Sequence, residues 1–480
     1  MQSLNQLDLP SSNFTRLTTE QQNQMKSACF EILERTGIRL YDQDALDLLR
    51  FAGLKIDDGN CVYFPLQMVE KALTMAPHHI TLYNRNCDPV LPITGYRSFF
   101  GPGSDCLLII DHRTGERRAP TLRDLVEGIT LCDGLENIDF LMSLFLPVDV
   151  KSELVDRLQM EAMLNHTSKP IIFVTYELAG CVDAVKMAEV VAGGATSLAE
   201  KPFVVCYLNP TTGLRHNKEV LQKLLFMAGK GLPIIYIPGA TAGVAVPSTV
   251  AASNAMRLAG SLAGLVIAQL KREGTPVIIP GWGALAMDMR SAVQIYTGPD
   301  HQGVAQAMAH HMDLPMLSLG GATDAKLIDQ QAGIEAALTL LFDAVAGSHL
   351  VHDIGYLESG LTGSLAQIVI CDEILTWVKR ALHPVDVSAE TLALELIHKT
   401  GPDGQYLDKK HTLHHFKDQW HPLLFDRSNY EGWVKNGSRT LAERAADRVS
   451  EILDQHKPEP LPEQLREAIR TIVENPTQLN

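Results

Sequence analysis

The chain has 480 residues, 46% hydrophobic and 20% charged, which is the profile of a globular protein with a substantial core, long enough for one large barrel with additions or two to three smaller domains. Its 56 acidic against 41 basic residues give a formal charge of −15, which repels phosphate backbones and argues against a nucleic-acid partner. The eight cysteines (Cys29, Cys61, Cys87, Cys106, Cys132, Cys181, Cys206 and Cys371), never closer than 19 residues, form neither a C-x-x-C clip nor a short disulfide framework and read as reduced core residues.

The opening MQSLNQLDLPSSNF has neither a basic nor an apolar leader region, and no run of 18 uncharged apolar residues occurs, so a cytoplasmic location is expected. From residue 15 to 80 apolar residues recur at three- and four-residue spacing (Leu17, Met25, Cys29, Ile32, Leu33, then Asp44 to Leu49), which predicts an α-rich cap over 1–90. The turn-rich YNRNCDP at 83–89 leads out of it.

Eight short apolar runs follow, beginning near residues 98, 140, 170, 202, 233, 276, 315 and 349, at intervals of roughly 30 to 45 residues. Helical segments such as 221–227, 251–270 and 330–346 fill the intervals. The runs are apolar on consecutive positions rather than alternating, as parallel strands buried on both faces must be. Eight strand-helix units predict an α/β fold, a (β/α)₈ TIM barrel over 91–380. A doubly wound sheet is the alternative, but its GxGxxG fingerprint follows none of the early runs. After 380 apolar density falls, and helical patterning returns at 440–453 and 463–473; 381–480 reads as an α-rich appendage for assembly or for a lid, and homo-oligomerisation is expected.

Barrels of this class work at the carboxyl ends of their strands, so the residues that close each run are the site candidates. Gly101, Gly103, Gly239, Gly281, Gly283, Gly320, Gly321 and Gly355 fall there; a strand-end glycine either makes a tight turn or lets a ligand lie against backbone. Phe99, Phe100, Tyr176, Tyr207, Trp282, Tyr296 and Tyr356 share the rim. Converging ring faces suit a quaternary ammonium, which has no N–H to donate, although each ring taken singly also serves as packing. Asp105, Asn209, Asp324, His352, Asp353 and Glu358 are the polar rim residues, and His352 could hydrogen-bond a substrate carboxylate. His310 with His311, adjacent on a helix, and His411 with His415, without an HExxH or a nearby cysteine, make weak metal pairs, and no metal set is expected. Neither a GxSxG elbow, a P-loop, a kinase set nor a zinc-deaminase signature is present.

The stretches FGPGSDCLLIIDHRTGERR (100–118), KREGTPVIIPG (271–281), LGGATDAKLIDQQAGIEAAL (319–338) and HDIGYLESGLTGSLAQIVICDEI (352–374) together resemble the trimethylamine methyltransferase superfamily over nearly the whole chain. The resemblance is to its branch without pyrrolysine, typified by glycine betaine:corrinoid methyltransferase. Where the trimethylamine branch has pyrrolysine near the last strand, Gly355 to Ser359 are ordinary residues, which implies that trimethylamine is not the substrate.

The resemblance further implies transfer of a methyl group from a quaternary amine to Co(I) of a partner corrinoid (cobalamin) protein that docks at the barrel mouth, with no permanently bound cofactor and no acid or base required on this chain. On that reading Phe99, Phe100, Gly101 and Gly103 line the methyl-ammonium end, Trp282 and Tyr356 add rings, and His352 takes the substrate carboxylate, with Arg97, Arg290 and Lys326 as alternatives. Glycine betaine is the expected substrate. A larger betaine such as proline betaine or carnitine, and a non-catalytic quaternary-amine binding protein, are the competing readings.

Overall fold

In the computed structural model, which describes residues 14–478, the eight apolar runs close into the expected (β/α)₈ barrel; residues 1–13 of the expected cap lie outside the described part. Seven strands form one parallel sheet: β1 (Phe99–Phe100), β2 (Ile171–Phe173), β3 (Val204–Leu208), β4 (Ile234–Tyr236), β5 (Val277–Pro280), β6 (Met316–Leu319) and β7 (Leu350–His352). Their spatial order is β1-β7-β6-β5-β4-β3-β2. The eighth run fills the gap between the two edges without a regular ladder. Leu141 bridges Ile171 in parallel, while the Asp139 N–H donates to the Phe100 carbonyl at 2.6 Å and the Phe100 N–H to Asp139 Oδ2 at 2.9 Å.

The helices of the eight units are α1 (Leu122–Gly134), α2 (Val155–His166), α3 (Leu178–Ala192), α4 (Lys218–Lys230), α5 (Val250–Lys271), α6 (Ala305–His311), α7 (Gln330–Ala346) and α8 (Leu365–Leu382). Local chemistry sets several of their ends. Thr121 and Asp124 form a capping box on α1, and Asp329 and Ser364 cap α7 and α8. Gly193, Gly231 and Gly347 stop α3, α4 and α7 in the left-handed conformation that costs glycine nothing.

Helix α5 is apolar nearly all round because the barrel covers one side and the N-terminal helices Thr19–Glu31, Gln43–Phe51 and Leu66–Met75 cover the other. Among the described residues it is the one helix long and apolar enough to cross a membrane, and 78% of its apolar window is buried within the protein.

The N-terminal region, expected to be α-rich, also holds short strands. Three-residue strands Ile38–Leu40, Lys55–Asp57 and Cys61–Tyr63 form a small sheet that also takes in Arg215–His216. The turn at 83–89 joins a hairpin, Ile80–Tyr83 with Pro89–Ile93. That hairpin lies across the amino ends of the barrel strands, the Tyr83 N–H bonding the Pro202 carbonyl and the Arg85 N–H the Ser168 carbonyl. It thereby closes the end of the barrel opposite the mouth.

At the other terminus, helices α9 (Leu441–Gln455) and α10 (Glu463–Glu474) wrap the outer helices, α9 on α8 and α1, α10 on α2 and α3. A buried ion pair fixes the last turn of chain: Arg157 Nε donates to Asp183 Oδ2 at 2.8 Å, and the Thr477 N–H bonds the same oxygen at 2.8 Å. All eight cysteines are free thiols.

Asp343 of α7 is wholly buried behind β6. Its Oδ1 accepts from Ser318 Oγ (2.5 Å), Ser348 Oγ (2.6 Å) and Gln306 Nε2 (3.2 Å), while Oδ2 meets no partner among the described residues. Burial pushes its carboxyl up to about 6. The folded state therefore holds this proton more tightly than the unfolded chain. The resulting advantage is present at acidic pH and is lost as pH rises through about 6, a cost on the order of 3 kcal/mol. Denaturant midpoints of the wild type and Asp343→Asn between pH 4.5 and 7 are expected to diverge, the variant gaining on the wild type as pH rises. A pH-independent gap would remove Asp343 from the titration.

Candidate functional site

Three inward-facing side chains at strand ends form a ring layer across the mouth: Tyr207 on β3, Trp282 just past β5 and His352 at the end of β7. All three strands belong to one alternating set of the barrel, the way such layers are built. The imidazole of His352 lies 5.3 Å from the Trp282 ring at 68°, edge to face, and 6.1 Å from that of Tyr207.

His352 Nδ1 bonds Asp353 Oδ1 at 2.6 Å, which places the hydrogen on Nδ1. Nε2 is sealed from solvent and has no hydrogen-bond partner among the described residues. An unpaired buried polar atom costs on the order of 1–3 kcal/mol and calls for an explanation in a native fold.

The loops around this layer are held under strain. Asp105, Leu144, Asp353, Glu358 and Ser359 all adopt positive φ, between 54° and 72°. Such conformations cost of order 1–3 kcal/mol each and gather at functional sites. At Asp353 the left-handed backbone accompanies a carboxylate turned back on the preceding imidazole.

A Cβ at Gly103 would stand 2.0 Å from Asp353 Oδ1 and 2.6 Å from the Tyr356 ring, so the glycine makes room for both. Tyr356 Oη donates to the Leu144 carbonyl at 3.0 Å. Asp324 joins two rim loops, accepting from the Tyr296 N–H at 2.9 Å, Thr297 Oγ1 at 2.7 Å and Ser359 Oγ at 2.7 Å. Tyr296 in turn rests on Gly360.

Burial governs the electrostatics. It pushes the Tyr207 phenol up to about 12 and those of Tyr296 and Tyr356 well above their usual range, so all three remain neutral rings. Asp105, accepting from Ser143 Oγ and Gln159 Nε2, is raised for the same reason.

The mouth also holds a cation that the sequence reading missed. Arg257 reaches in from α5, stacks on the Trp282 ring at 4.2 Å, and donates to the carbonyls of Pro238 (3.0 Å) and Trp282 (2.7 Å). Burial lowers its guanidinium to about 10. No carboxylate pairs with it among the described residues. Its signal was present: Arg257 is the sole charged residue between 250 and 270.

The expected site residues divide. His352, Trp282, Tyr207, Tyr296 and Tyr356 come together with Gly103, although Arg257 already covers one face of Trp282. Phe100 does not join them. It pairs with Val351 on the outer face of the barrel, where Lys379 Nζ of α8 lies 5.6 Å above its ring, because adjacent strand residues point to opposite faces. Phe99 faces inward but pairs with Leu350, one layer below His352. At Gly101 the space for a side chain is filled by Phe140, and at Gly239, Gly281, Gly320, Gly321 and Gly355 by other neighbouring chain, so these glycines serve packing rather than an open mouth. Tyr176 is 91% exposed and lies outside the ring layer.

None of the alternative carboxylate binders reaches the layer. Arg97 borders a cavity of about 660 Å³ with Asp139 and Lys169 at the opposite end of the barrel, Arg290 is exposed and paired with Asp288, and Lys326 Nζ donates to the Asp324 carbonyl. Among the described residues no group of three His, Cys, Asp or Glu is placed to hold a metal ion. His310 instead bonds the Ala346 carbonyl, and the His411 ring lies tilted against that of His415, 4.4 Å apart.

A family model described as trimethylamine methyltransferase (MTTB) matches residues 1–478. A trimethylamine methyltransferase MttB of Desulfitobacterium hafniense (strain DSM 10664 / DCB-2) is 30% identical over 457 residues, 93% of this chain and 91% of that protein. A glycine betaine methyltransferase of Desulfitobacterium hafniense (strain Y51) is 29% identical over 456 residues, 94% of each. The crystal structure of the Methanosarcina barkeri monomethylamine methyltransferase shares the fold, with a TM-score of 0.53 over 98% of this chain and 90% of that one at 11% identity.

Proposed function

The chain belongs to the trimethylamine methyltransferase family, and from that membership and the ring layer in its barrel mouth we propose that it takes a methyl group from glycine betaine and passes it to the Co(I) of a separate corrinoid protein. The corrinoid is here a second substrate, the methyl acceptor. The methyl C–N bond breaks with its electron pair passing to nitrogen, the C–Co bond forms with the pair from Co(I), and a neutral tertiary amine leaves. No proton moves, so the chain's task is to bind, orient and keep water out.

The observation that carries this reading is the dry, unpartnered Nε2 of His352 within the layer of Tyr207 and Trp282. A substrate carboxylate supplies the missing partner when His352 is protonated, Nε2–H then donating to it. Arg257, behind Trp282, makes that side of the mouth positive. Tyr356, in the field of Asp353 and Asp105, and Tyr296 offer their rings to the trimethylammonium group. A zwitterion fits that polarity, and a plain tetraalkylammonium satisfies half of it. Because the layer is closed over Nε2, a ring moves aside to admit the substrate.

Around the layer, Leu107, Val148, Tyr176, Val244, Met289 and Leu327 stand exposed on six of the loops that leave the strand ends. This apolar collar suits a protein partner that brings its corrinoid to the mouth.

The test is a screen of quaternary and tertiary methylamines with reduced corrinoid protein, reading the demethylated product. Dimethylglycine from glycine betaine is expected, with no product from trimethylamine. Betaine that binds yet loses no methyl across the panel would leave a binding protein instead. In the same assay Val244→Asp with Leu327→Asp is expected to raise the apparent KM for the corrinoid protein about tenfold while leaving betaine affinity unchanged. An unchanged KM would move the docking surface elsewhere.

A further inference from the structure

The ring layer is sealed over His352 Nε2, and the hairpin at 80–93 closes the far end of the barrel, so a substrate enters when part of the mouth gives way. Most of the layer is pinned. Tyr207 is part of β3, paired with Ile235 of β4, and Trp282 is clamped by the stacked Arg257, which also bonds its carbonyl. Tyr356 is tied through its hydroxyl to the Leu144 carbonyl and pairs with Gly363, and His352 lies on β7 with Nδ1 on Asp353.

Tyr296 is held differently. It rides on the long loop between β5 and α6, and from residue 286 to 300 that loop contains no buried residue. Its ring rests on Gly360, whose carbonyl accepts from the Cys106 thiol, and its phenol lies within electrostatic reach of Asp353 and Tyr207.

The loop stands on two feet. At one, Leu285 and Ala286 pair with Thr241 and Ala242, and Gln294 Nε2 donates to Thr241 Oγ1 at 3.1 Å. At the other, the Arg16 guanidinium donates to the carbonyls of Pro299, Asp300 and Gln302 at 3.3, 3.2 and 3.4 Å. Between the feet the chain folds on itself as a hairpin, Leu285–Asp288 with Val293–Gln294. Among the described residues, one side chain then fastens it to the barrel. The Tyr296 N–H donates to Asp324 Oδ1 at 2.9 Å, and the Thr297 N–H and Oγ1 donate to Oδ2 at 3.2 and 2.7 Å. Asp324 is itself braced from the barrel side, its N–H donating to Glu335 Oε2 at 2.8 Å and its Oδ1 accepting from Ser359 Oγ at 2.7 Å. A segment without buried residues, fixed at both ends and fastened in the middle by one carboxylate, opens more readily than the packed elements around it.

We propose that residues 287–298 are the gate of this site, swinging out with Tyr296 to admit the quaternary amine and back to lay the ring on it, with Asp324 as the latch. The inference rests on the reading of His352 and its rings as the substrate site. Asp324 is a positioning residue: it acts through Tyr296 and touches no substrate.

Opening the gate bares His352 Nε2, so diethyl pyrocarbonate, which acylates an unprotonated imidazole nitrogen, reports it on the full chain without any substrate. Peptide mass spectrometry follows each histidine separately. His216 is the internal control, its Nε2 likewise buried and without a partner among the described residues, but placed on the small N-terminal sheet and bonded to Tyr236 Oη. In the wild type both rings are expected to react slowly. Asp324→Ala is expected to speed His352 about tenfold while leaving His216 and the far-ultraviolet circular dichroism spectrum unchanged. Ser359→Ala, which removes one brace of the latch, is expected to give a smaller rise at His352 alone.

Stopped-flow binding of tetramethylammonium adds a readout that a merely structural role would not move: unlatching raises the association rate constant as well as the dissociation rate constant. A wild-type rate at His352 in Asp324→Ala, His352 and His216 speeding together, or an association rate constant that does not rise would overturn the gate. If the histidine pattern is as expected but glycine betaine fails to protect His352 from the reagent, the gate stands and the betaine reading falls.

Discussion

Replacing His352 with alanine is expected to lower kcat/KM for glycine betaine about a hundredfold, the ~3 kcal/mol scale of a charge-assisted hydrogen bond whose loss leaves a carboxylate unpaired in a dry site. The expectation rests on Nε2, which alone among the ring layer's polar atoms has neither solvent nor partner, and on Asp353, which orients the imidazole through Nδ1. Tetramethylammonium, with the same cation and no carboxylate, should lose less than about threefold, because the rings that hold its charge remain. Steady-state kinetics on the two substrates separates the outcomes. Equal losses on both would make His352 a structural residue that braces Trp282.

The second large effect is at a residue that contacts no substrate in this account. Gly103→Ala would put a methyl group 2.0 Å from Asp353 Oδ1 and 2.6 Å from the Tyr356 ring. Neither neighbour can give way cheaply. The Asp353 carboxylate is tied to His352 from a left-handed backbone, and Tyr356 is tied through its hydroxyl to the Leu144 carbonyl. Overpacking of this kind costs about 1–3 kcal/mol of stability. Displacing the His352–Asp353 pair by even ~1 Å is expected to cut methyl transfer about a hundredfold. Gly333→Ala, at an open position on α7, is the matched control; it should leave methyl transfer unchanged and, through helix propensity alone, raise stability by about 0.5–1 kcal/mol. Full activity in Gly103→Ala would show that the pair's geometry is not needed.

The barrel was legible because its signal is collective. Eight apolar runs at a strand-helix interval admit few architectures, and each becomes a barrel position, including the irregular segment around Leu141. The same feature hid the details of the site. A run apolar on consecutive positions says that both faces are covered but not which face is the lumen, so Phe99 and Phe100 were grouped although alternation sends Phe100 outward to Lys379.

The rim glycines carried a similar ambiguity. Glycine at a strand end reports a close approach without saying of what, and at Gly101 and Gly320 the approaching atoms are the protein's own Phe140 and Asp343. Arg257 sits on a helix outside the barrel, so a search of strand ends could not find it. The strands of the N-terminal region were missed because three residues are too few to set a period against flanking helices.

A crystal structure with glycine betaine bound tests the central claim most directly. One carboxylate oxygen is expected about 3 Å from His352 Nε2, with the trimethylammonium group against the rings of Tyr296 and Tyr356. Betaine held elsewhere, with Nε2 still unpaired between Trp282 and Tyr207, would contradict the account.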